Sequence, residues 1–311
     1  MFERAIKNFN IALESLNIEN AVSAGDLLTG QINFDLMKET NISSLSIKLK
    51  GGVHVHWTTG GKRKRHHSAK LKFFNIKSAI IQGDNAIGGG TKLAPGRHLY
   101  PFSFQIPQGD FPSSFNGPHG EISYKLTVSI NRPWHLSQDF VTMLNFVNRI
   151  DSNNPDLWAP LSGSSSKTLC CLWCTSGPIE MTATMERKAF IPGETAKIIC
   201  DISNASSRTV IPKVILQQKH VYYLHDRVQR RPLKWYLAAV HGDPIGAHTS
   251  HAHVEIMLDI PSSASLSLTN CPLLEVFYIV KVSLHINGSS DLTVLFPITL
   301  CNTSAQMNRL H

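Results

Sequence analysis

Four consecutive cations form the densest charge in the sequence. They are Lys62, Arg63, Lys64 and Arg65, here called the first basic group, and two histidines follow them. Such side chains bind phosphate and carboxylate groups. The group could therefore contact phosphorylated receptor tails or anionic lipid, where each cation near a charged membrane surface contributes about 1 kcal/mol. The same run could also be a solvated hairpin tip or a chance match to a nuclear-localisation signal.

A second set of cations lies in the C-terminal half of the sequence. This second basic group comprises Arg227, Arg230, Arg231 and Lys234. Two basic groups in one chain could bind a single anionic ligand, and DNA is a competing ligand for such charge. No reading helix, zinc finger or aromatic-interleaved sheet motif accompanies them, so the pattern does not favour a specific nucleic acid as the partner.

Three of the six cysteines are crowded into one short segment. Cys170, Cys171 and Cys174 form this junction cysteine group, and Cys171 and Cys174 have the spacing of half a zinc site. A structural zinc site needs four ligands, and no second pair with this spacing follows. Three interpretations remain open, namely packing, lipidation or membrane contact beside Leu169 and Trp173, and metal binding. The pattern favours packing.

The sequence lacks the motifs of common enzyme classes. It has no Gly-x-Ser-x-Gly, no His-Glu-x-x-His and no phosphate-binding loop, because the glycine triplet at residues 88–90 lacks the required spacing. We therefore expect no catalytic centre and no cofactor. The side chains of interest are expected to act by binding at the surface.

Composition narrows the classes of partner and compartment. The 311 residues carry a formal net charge of +8, and 15 histidines add positive charge at low pH, which favours anionic partners without naming one. No run of about 18 apolar residues predicts a membrane helix, and the N-terminal residues lack the apolar centre of a signal peptide. These features predict a cytoplasmic protein whose cysteines are reduced.

Alternating apolar and polar residues predict β-strands along the whole chain. The clearest run is residues 122–130, and residues 28–36 and 274–286 show the same period of two. A glycine pair at residues 51–52 interrupts another alternating run, which predicts a bulge or a bend. Residues 58–69 are polar and basic, which predicts a long hairpin tip that carries the first basic group. With almost no helical periodicity, the fold is predicted to be all-β.

The periodicity fades between residues 151 and 175, where prolines, glycine and serines accumulate. On either side the chain repeats one order of features: a turn ending in an acid, an alternating strand, an Asn-x-Ser-Ser segment and another apolar strand. We therefore predict two β-sandwich domains, a short linker and a tail. The predicted domains are residues 1–152 and residues 176–303. The predicted linker is residues 153–175, and the predicted tail is residues 304–311.

Several segments together resemble one protein family. PFSFQIP, FPSSFNG and GEISYKLTVSINRPW resemble the N-terminal domain of the alpha-arrestins, the arrestin domain-containing proteins. KTLCCLWCTSGPIEMTATMERKAFIPGE resembles their domain junction, and NASSRTVIPK and VFYIVKVSL resemble their C-terminal domain. This resemblance implies two arrestin-like antiparallel, immunoglobulin-like β-sandwiches. It also gives the junction cysteine group a structural role.

The resemblance implies a function as well. Alpha-arrestins are non-enzymatic adaptors that engage membrane cargo such as receptors and transporters, and Pro-Pro-x-Tyr motifs in their C-terminal tails recruit ubiquitin ligases with WW domains. This sequence contains no Pro-Pro pair, so we expect either a natural short form that does not recruit ligases through that motif or a fragment of a longer protein. Such a form could act as a partner or competitor of tailed alpha-arrestins.

The expected role is therefore endocytic or endosomal trafficking and protein transport. The expected location is the cytoplasm, at the periphery of the plasma membrane and endosomes, with possible contact to an anionic membrane surface. Two alternatives come from other classes of protein. One is a structural subunit of a retromer-like sorting coat, and the other is a basic nucleic-acid-binding protein.

Overall fold

The computed structural model describes residues 6–14, 20–82, 90–149, 154–171 and 174–302. Within these ranges the fold is almost entirely β, and one 3-10 turn at Pro155–Leu157 is the only helical element. No helix of the described chain is long and apolar enough to cross a membrane.

The chain divides into two compact units. The first runs to Asn148 and also includes the short segments Tyr223–Gln229 and Asn270–Leu273. The second comprises Arg149–Tyr222, Arg230–Thr269 and the chain from Leu274 onward.

Eleven strands lie in the described part of the first unit. They are β1 (Ile6–Leu13), β2 (Ala21–Val22), β3 (Leu27–Leu36), β4 (Thr40–Ile42), β5 (Ser44–Thr59), β6 (Arg65–Gln82), β7 (Thr91–Leu93), β8 (Gly96–Gln105), β9 (Phe115–Gly117), β10 (Gly120–Asn131) and β11 (Gln138–Phe146). One sheet has the order β1-β3-β8, and the larger sheet has the order β2-β11-β10-β5-β6 with β9 beside β10. Strands β4 and β7 form a separate pair.

Nine strands lie in the described part of the second unit. They are β12 (Leu161–Cys171), β13 (Cys174–Met185), β14 (Ala189–Phe190), β15 (Thr195–Asn204), β16 (Val210–Tyr223), β17 (Arg230–His241), β18 (Thr249–Asp259), β19 (Leu274–Ile286) and β20 (Leu292–Leu300). One sheet has the order β12-β13-β15-β18, and the other has the order β14-β20-β19-β16-β17. The prediction of an all-β chain with two antiparallel β-sandwich domains is confirmed.

Alternation along the strands decides which faces are buried. In β10, the side chains of Ile122, Tyr124, Leu126, Val128 and Ile130 are at most 2% exposed, and the residues that alternate with them are partly exposed. Strands β3 and β19 alternate in the same way. The strands predicted from these runs are therefore confirmed. Each of these three strands has one predominantly buried face, which is typical of antiparallel sandwiches.

The two units repeat one arrangement of strands. Strands β2, β11, β10, β5 and β6 stand in the same order as β14, β20, β19, β16 and β17, and β1, β3 and β8 correspond to β13, β15 and β18. The short strands β2 and β14 each pair in parallel with the long strand beside them. The repeat seen in the sequence is therefore present in the topology.

The turns that end in an acid are also equivalent. In the first unit, the Asp26 carboxylate accepts a hydrogen bond from the Ser23 N–H at 2.8 Å. In the second unit, the Glu194 carboxylate accepts one from the Ile191 N–H at 2.9 Å. The glycine before each acid has a positive φ, +79° at residue 25 and +98° at residue 193, which glycine adopts at little cost. The same chemistry thus closes the same turn twice.

Part of the predicted linker segment forms a strand. Residues 161–171 form β12, which pairs with β13 and lies at the edge of its sheet. Small residues such as Ser162, Gly163 and Ser164 occupy both faces of this strand, so it shows no apolar period of two. An edge strand can form without that period, because it is held by its backbone ladder. The domain bounds stay predictions, and the tail at residues 304–311 lies outside the described residues.

Candidate partner-binding surfaces

The first basic group lies at the end of the β5–β6 hairpin. The ladder closes where Thr59 pairs with Arg65, so the tip comprises residues 60–64 and is shorter than the predicted tip at residues 58–69. The strands extend into this polar region because side chains on the two strands form hydrogen bonds with one another. For example, Thr59 Oγ1 lies 2.8 Å from His67 Nε2. The tip therefore stands on a hydrogen-bonded stem.

The four cations of the first basic group are all exposed. Among the described residues, no carboxylate lies within ion-pair distance of them. Just below the tip, the Trp57 ring stacks on the His67 ring with 5.2 Å between centroids. Neighbouring like charges repel one another, so this tip favours an anion supplied by a partner.

The second basic group lies on the equivalent hairpin, β16–β17. An acid stands within its tip, and the Asp226 carboxylate accepts hydrogen bonds from the N–H groups of Val228 at 3.0 Å and Gln229 at 3.2 Å. The Arg227 guanidinium lies over the Tyr223 ring, 4.2 Å from its centroid. The charged side chains of Asp226 and Arg227 thus make favourable contacts within the hairpin itself.

The other cations of the second basic group lie on β17. Arg230 and Arg231 are exposed at its start, and Lys234 Nζ lies 4.8 Å from the centroid of the Tyr236 ring. An exposed cation–π contact of this kind contributes about 0.5–1 kcal/mol. The structure thus gathers each basic group on its own hairpin. That the two groups bind one anionic ligand stays a prediction.

The junction cysteine group lies at the β12–β13 hairpin, where Cys171 pairs with Cys174 in the strand register. The side chains of this group lie outside the described residues, so packing, lipidation and metal binding stay predictions. No cluster of three or more His, Cys, Asp or Glu side chains suited to a metal ion occurs in the described chain. Elsewhere, burial and then the nearby Asp201 carboxylate raise the pKa of the Cys200 thiol to about 11, which makes it a poor nucleophile.

A basic hollow lies on the solvent-facing side of β5, β6 and β10. Its cavity volume is about 410 Å³, and its charged lining consists of four lysines, one histidine and one glutamate. These residues are Lys50, Lys70, Lys72, Lys125, His54 and Glu121. They were not identified from the sequence, because each occupies an ordinary polar position of an alternating strand. The sequence does show lysines recurring at such positions. That pattern does not reveal which strands are neighbours in the sheet, so it could not locate the hollow.

The turn between β10 and β11 exposes two large apolar side chains. Trp134 is 93% exposed and Leu136 is 91% exposed. The His135 N–H donates to the Arg132 carbonyl at 3.2 Å, and Trp134 has a φ of +59°, which is costly for a residue with a Cβ atom. Apolar side chains held in solvent on a defined turn are typical of a contact surface.

Comparisons with known proteins agree with this architecture. Residues 9–153 match the family model of the arrestin (or S-antigen) N-terminal domain, and residues 175–304 match that of the arrestin (or S-antigen) C-terminal domain. Arrestin domain-containing protein 4 of Mus musculus is 27% identical over 302 residues, which cover 95% of this chain and 72% of the relative. Thioredoxin-interacting protein of Homo sapiens is 25% identical over 312 residues, with coverage of 99% and 78%.

The two matched domains follow one another in the order that the sequence resemblance implies, and both relatives are alpha-arrestins. Proteins of the arrestin family are non-catalytic adaptors that bind protein partners. The resemblance found in the sequence is thereby confirmed. The chain belongs to the arrestin family and, within it, to the alpha-arrestins.

Proposed function

We propose that this protein is a non-enzymatic arrestin-type adaptor that binds the cytoplasmic regions of membrane-protein cargo, such as receptors and transporters. In this role it takes part in endocytic or endosomal trafficking and protein transport. One observation carries the proposal: a chain with both arrestin domains presents four exposed cations at a hairpin tip.

The chemistry of the tip supports this role. Phosphorylated tails and the cytoplasmic leaflet are both anionic, and each cation near such a surface contributes about 1 kcal/mol. The exposed Trp134 and Leu136 support a second, apolar contact, because tryptophan favours the boundary between apolar and aqueous surroundings. Since Asn131 pairs with Ser44, that turn lies at the opposite end of β5 from the basic tip. The two features would therefore make separate contacts.

The proposal includes a location and excludes some partners. The protein acts in the cytoplasm, at the periphery of the plasma membrane and endosomes, without a catalytic step or a cofactor. The proposed partners include tailed alpha-arrestins. Because the sequence has no Pro-Pro pair, binding of ubiquitin ligases through Pro-Pro-x-Tyr is not part of the proposal. Specific nucleic-acid binding is not part of it either.

Proximity labelling in cells tests the proposal. The full chain is compared with a variant in which Lys62, Arg63, Lys64 and Arg65 are each changed to Ser. The matched control is the double variant Lys62→Arg and Lys64→Arg, which keeps the charge of the tip. We expect the wild type and the control to label plasma-membrane and endosomal proteins, and the serine variant to lose at least half of that signal.

Other labelling patterns would count against the adaptor role or against the tip as its contact site. Stable, stoichiometric recovery of sorting-coat subunits would favour the coat alternative. Labelling of chromatin or RNA-binding proteins would favour the nucleic-acid alternative. Equal labelling of membrane cargo by the serine variant would leave the adaptor role intact but would remove the tip as its contact site.

A further inference from the structure

The basic hollow is built row by row from three strands. In its central row, Gly52 of β5 pairs with Ser123 of β10 on one side and with Lys72 of β6 on the other. Gly52 has no side chain, so the floor of the hollow is backbone. A Cβ atom at this position would lie 2.8 Å from the Leu71 carbonyl oxygen, at the register shift between residues 51 and 52. This register shift agrees with the predicted bulge or bend, and the residue without a strand partner is Phe73 of β6.

The rows on either side of this floor carry the charge. On one side, Lys50 lies directly opposite Lys125, and on the other side His54 stands between Glu121 and Lys70. Directly opposed residues in an antiparallel pair have Cβ atoms about 4.5–5.5 Å apart, and like charges there are destabilising. The sheet alone therefore leaves an unfavourable concentration of positive charge around the hollow.

Little in the described chain offsets this charge. No ion pair joins any of the four lysines to a carboxylate among the described residues, and Glu121 is the one acid in the lining of the hollow. The pKa of His54 is lowered by burial first and then by Lys70 and His56, whereas Glu121 acts in the opposite direction. The surroundings of His54 thus disfavour additional positive charge, as expected at a site without its anion.

We propose that this hollow binds a compact anion with two or more phosphate groups. Its volume of about 410 Å³ is within the range of small-ligand pockets, about 300–1,000 Å³. Lysine ammonium groups carry three donors each on flexible stems, so several can converge on one phosphorylated ligand. An anion between Lys50 and Lys125 would replace a repulsion by two attractions. This site is distinct from the cargo-binding role proposed above and does not depend on it.

The hollow is also distinct from the basic tip. At about 3.3 Å per residue, Lys50 lies roughly 30 Å along β5 from the tip. The two features can therefore be removed separately, and variants that remove the same number of charges from each serve as controls for one another.

Isothermal titration calorimetry of the full chain with inorganic tripolyphosphate, at physiological salt, tests the proposal. The double variant Lys50→Gln and Lys125→Gln should weaken binding at least tenfold. The matched control, Lys62→Gln and Lys64→Gln, loses the same two charges and should change the affinity less than twofold. Equal losses in the two variants would show non-specific attraction to net charge and would overturn the proposal, as would unchanged binding in the first variant.

Two further variants guard against a trivial result. Without ligand, the Lys50→Gln and Lys125→Gln protein should unfold at the same or a higher denaturant concentration than the wild type, because a like-charge pair is gone. If it fails to fold, the single variant Lys72→Gln replaces it, with an expected loss of at least threefold. Glu121→Gln should strengthen binding about twofold or more, and weaker binding in this variant would contradict the proposal.

Free oligophosphates and phosphoinositide headgroups present the same chemistry, and vesicles distinguish these two sources. Co-sedimentation is measured with phosphatidylcholine vesicles with and without a phosphoinositide. If tripolyphosphate binds and the phosphoinositide vesicles recover the wild type but not the Lys50→Gln and Lys125→Gln variant, the headgroup reaches the hollow. If only tripolyphosphate binds, the ligand is a free anion. Binding to vesicles without any binding of tripolyphosphate would overturn the proposal.

Discussion

Strands β5 and β16 hold the same place in the two units, yet their surfaces differ. From residue 48 onward the solvent-facing residues of β5 stay open and include Lys50, His54 and His56, which are partly or fully exposed. In β16, residues 216–223 are buried on both faces except for the partly exposed Lys219. The inward residues thus define a common framework in both units. The outward residues are free to differ, and in the first unit they are cationic.

The central strands show where the framework itself differs. Tyr124 of β10 and Tyr278 of β19 are both buried, and each hydroxyl donates to a backbone carbonyl at 2.6 Å. The cross-strand neighbour of Tyr124 is Gly51, whereas that of Tyr278 is Gln218. The Gln218 Nε2 donates to the Tyr278 hydroxyl at 2.6 Å. In the second unit a hydrogen-bonding side chain lies opposite the tyrosine. In the first unit the opposite residue has no side chain, and the Tyr124 ring occupies that space.

Placing the glutamine of the second unit at the equivalent position of the first, as Gly51→Gln, should have the largest effect on the free energy of unfolding. A Cβ atom at Gly51 would lie 2.6 Å from the Tyr124 ring, which is stacked on Phe146 with 4.2 Å between centroids. We expect Gly51→Gln to lower the free energy of unfolding by about 3 kcal/mol, since an overpacked core must shift. Chemical denaturation measures this. Gly61→Gln is the control, because within the described chain no atom beyond its sequence neighbours lies within 4 Å of its Cβ position, and equal losses in both would refute the comparison.

The histidines of the two hairpins should differ in their response to acid. His220 of β16 is 6% exposed and packs on the Trp235 ring, and burial lowers its pKa to about 4. The unfolded chain, with a pKa near 6.5, takes up a proton that the folded chain resists. Its stabilising contribution is therefore complete above about pH 6.5 and is lost as the pH falls toward 4, with a loss of about 2 kcal/mol by pH 5.

Denaturation curves between pH 7 and pH 5 measure this difference. The slope of stability against pH should become flatter in His220→Gln than in the wild type. His54→Gln, in the exposed equivalent hairpin, should flatten it much less. A wild-type slope in the His220→Gln variant would show that another group causes the acid sensitivity.

Removing the buried tyrosine hydroxyls should give the smallest difference in stability between the two units. Tyr278→Phe leaves two groups without their partner, the part-buried Ser265 carbonyl and the buried Gln218 amide, whereas Tyr124→Phe leaves only the buried Pro112 carbonyl. Unmet buried polar groups cost about 1–3 kcal/mol each, before relaxation. We expect losses of about 2 kcal/mol and about 1 kcal/mol, respectively, in the free energy of unfolding. The reverse order would contradict the account of Gln218.

The sequence predicted those parts of the fold that depend on local pattern. The alternation at residues 122–130 and 274–286, the bulge at residues 51–52 and the acid-ended turns can all be read from neighbouring residues. Strand β12 could not be read in this way, because its stability comes from pairing with β13. The extent of the basic tip also depended on pairing, as the contact between Thr59 and His67 shows.

The candidate surfaces follow the same rule. The first basic group was predicted because its cations are contiguous in the sequence. The basic hollow was not predicted, because Lys50, Lys72 and Lys125 come together only through the register of three strands. A single sequence contains no direct signal for that register. The junction cysteine group was found from its spacing, but its role stays a prediction.

The central claim is that the outward face of β5, β6 and β10 is a binding surface that the second unit lacks. Amide hydrogen exchange of the full chain, with and without tripolyphosphate, tests this most directly. We predict slower exchange at residues 50–54, 70–72 and 121–125, and no change in the equivalent strands β16, β17 and β19. Protection confined to the second unit, or spread evenly over both, would contradict the account.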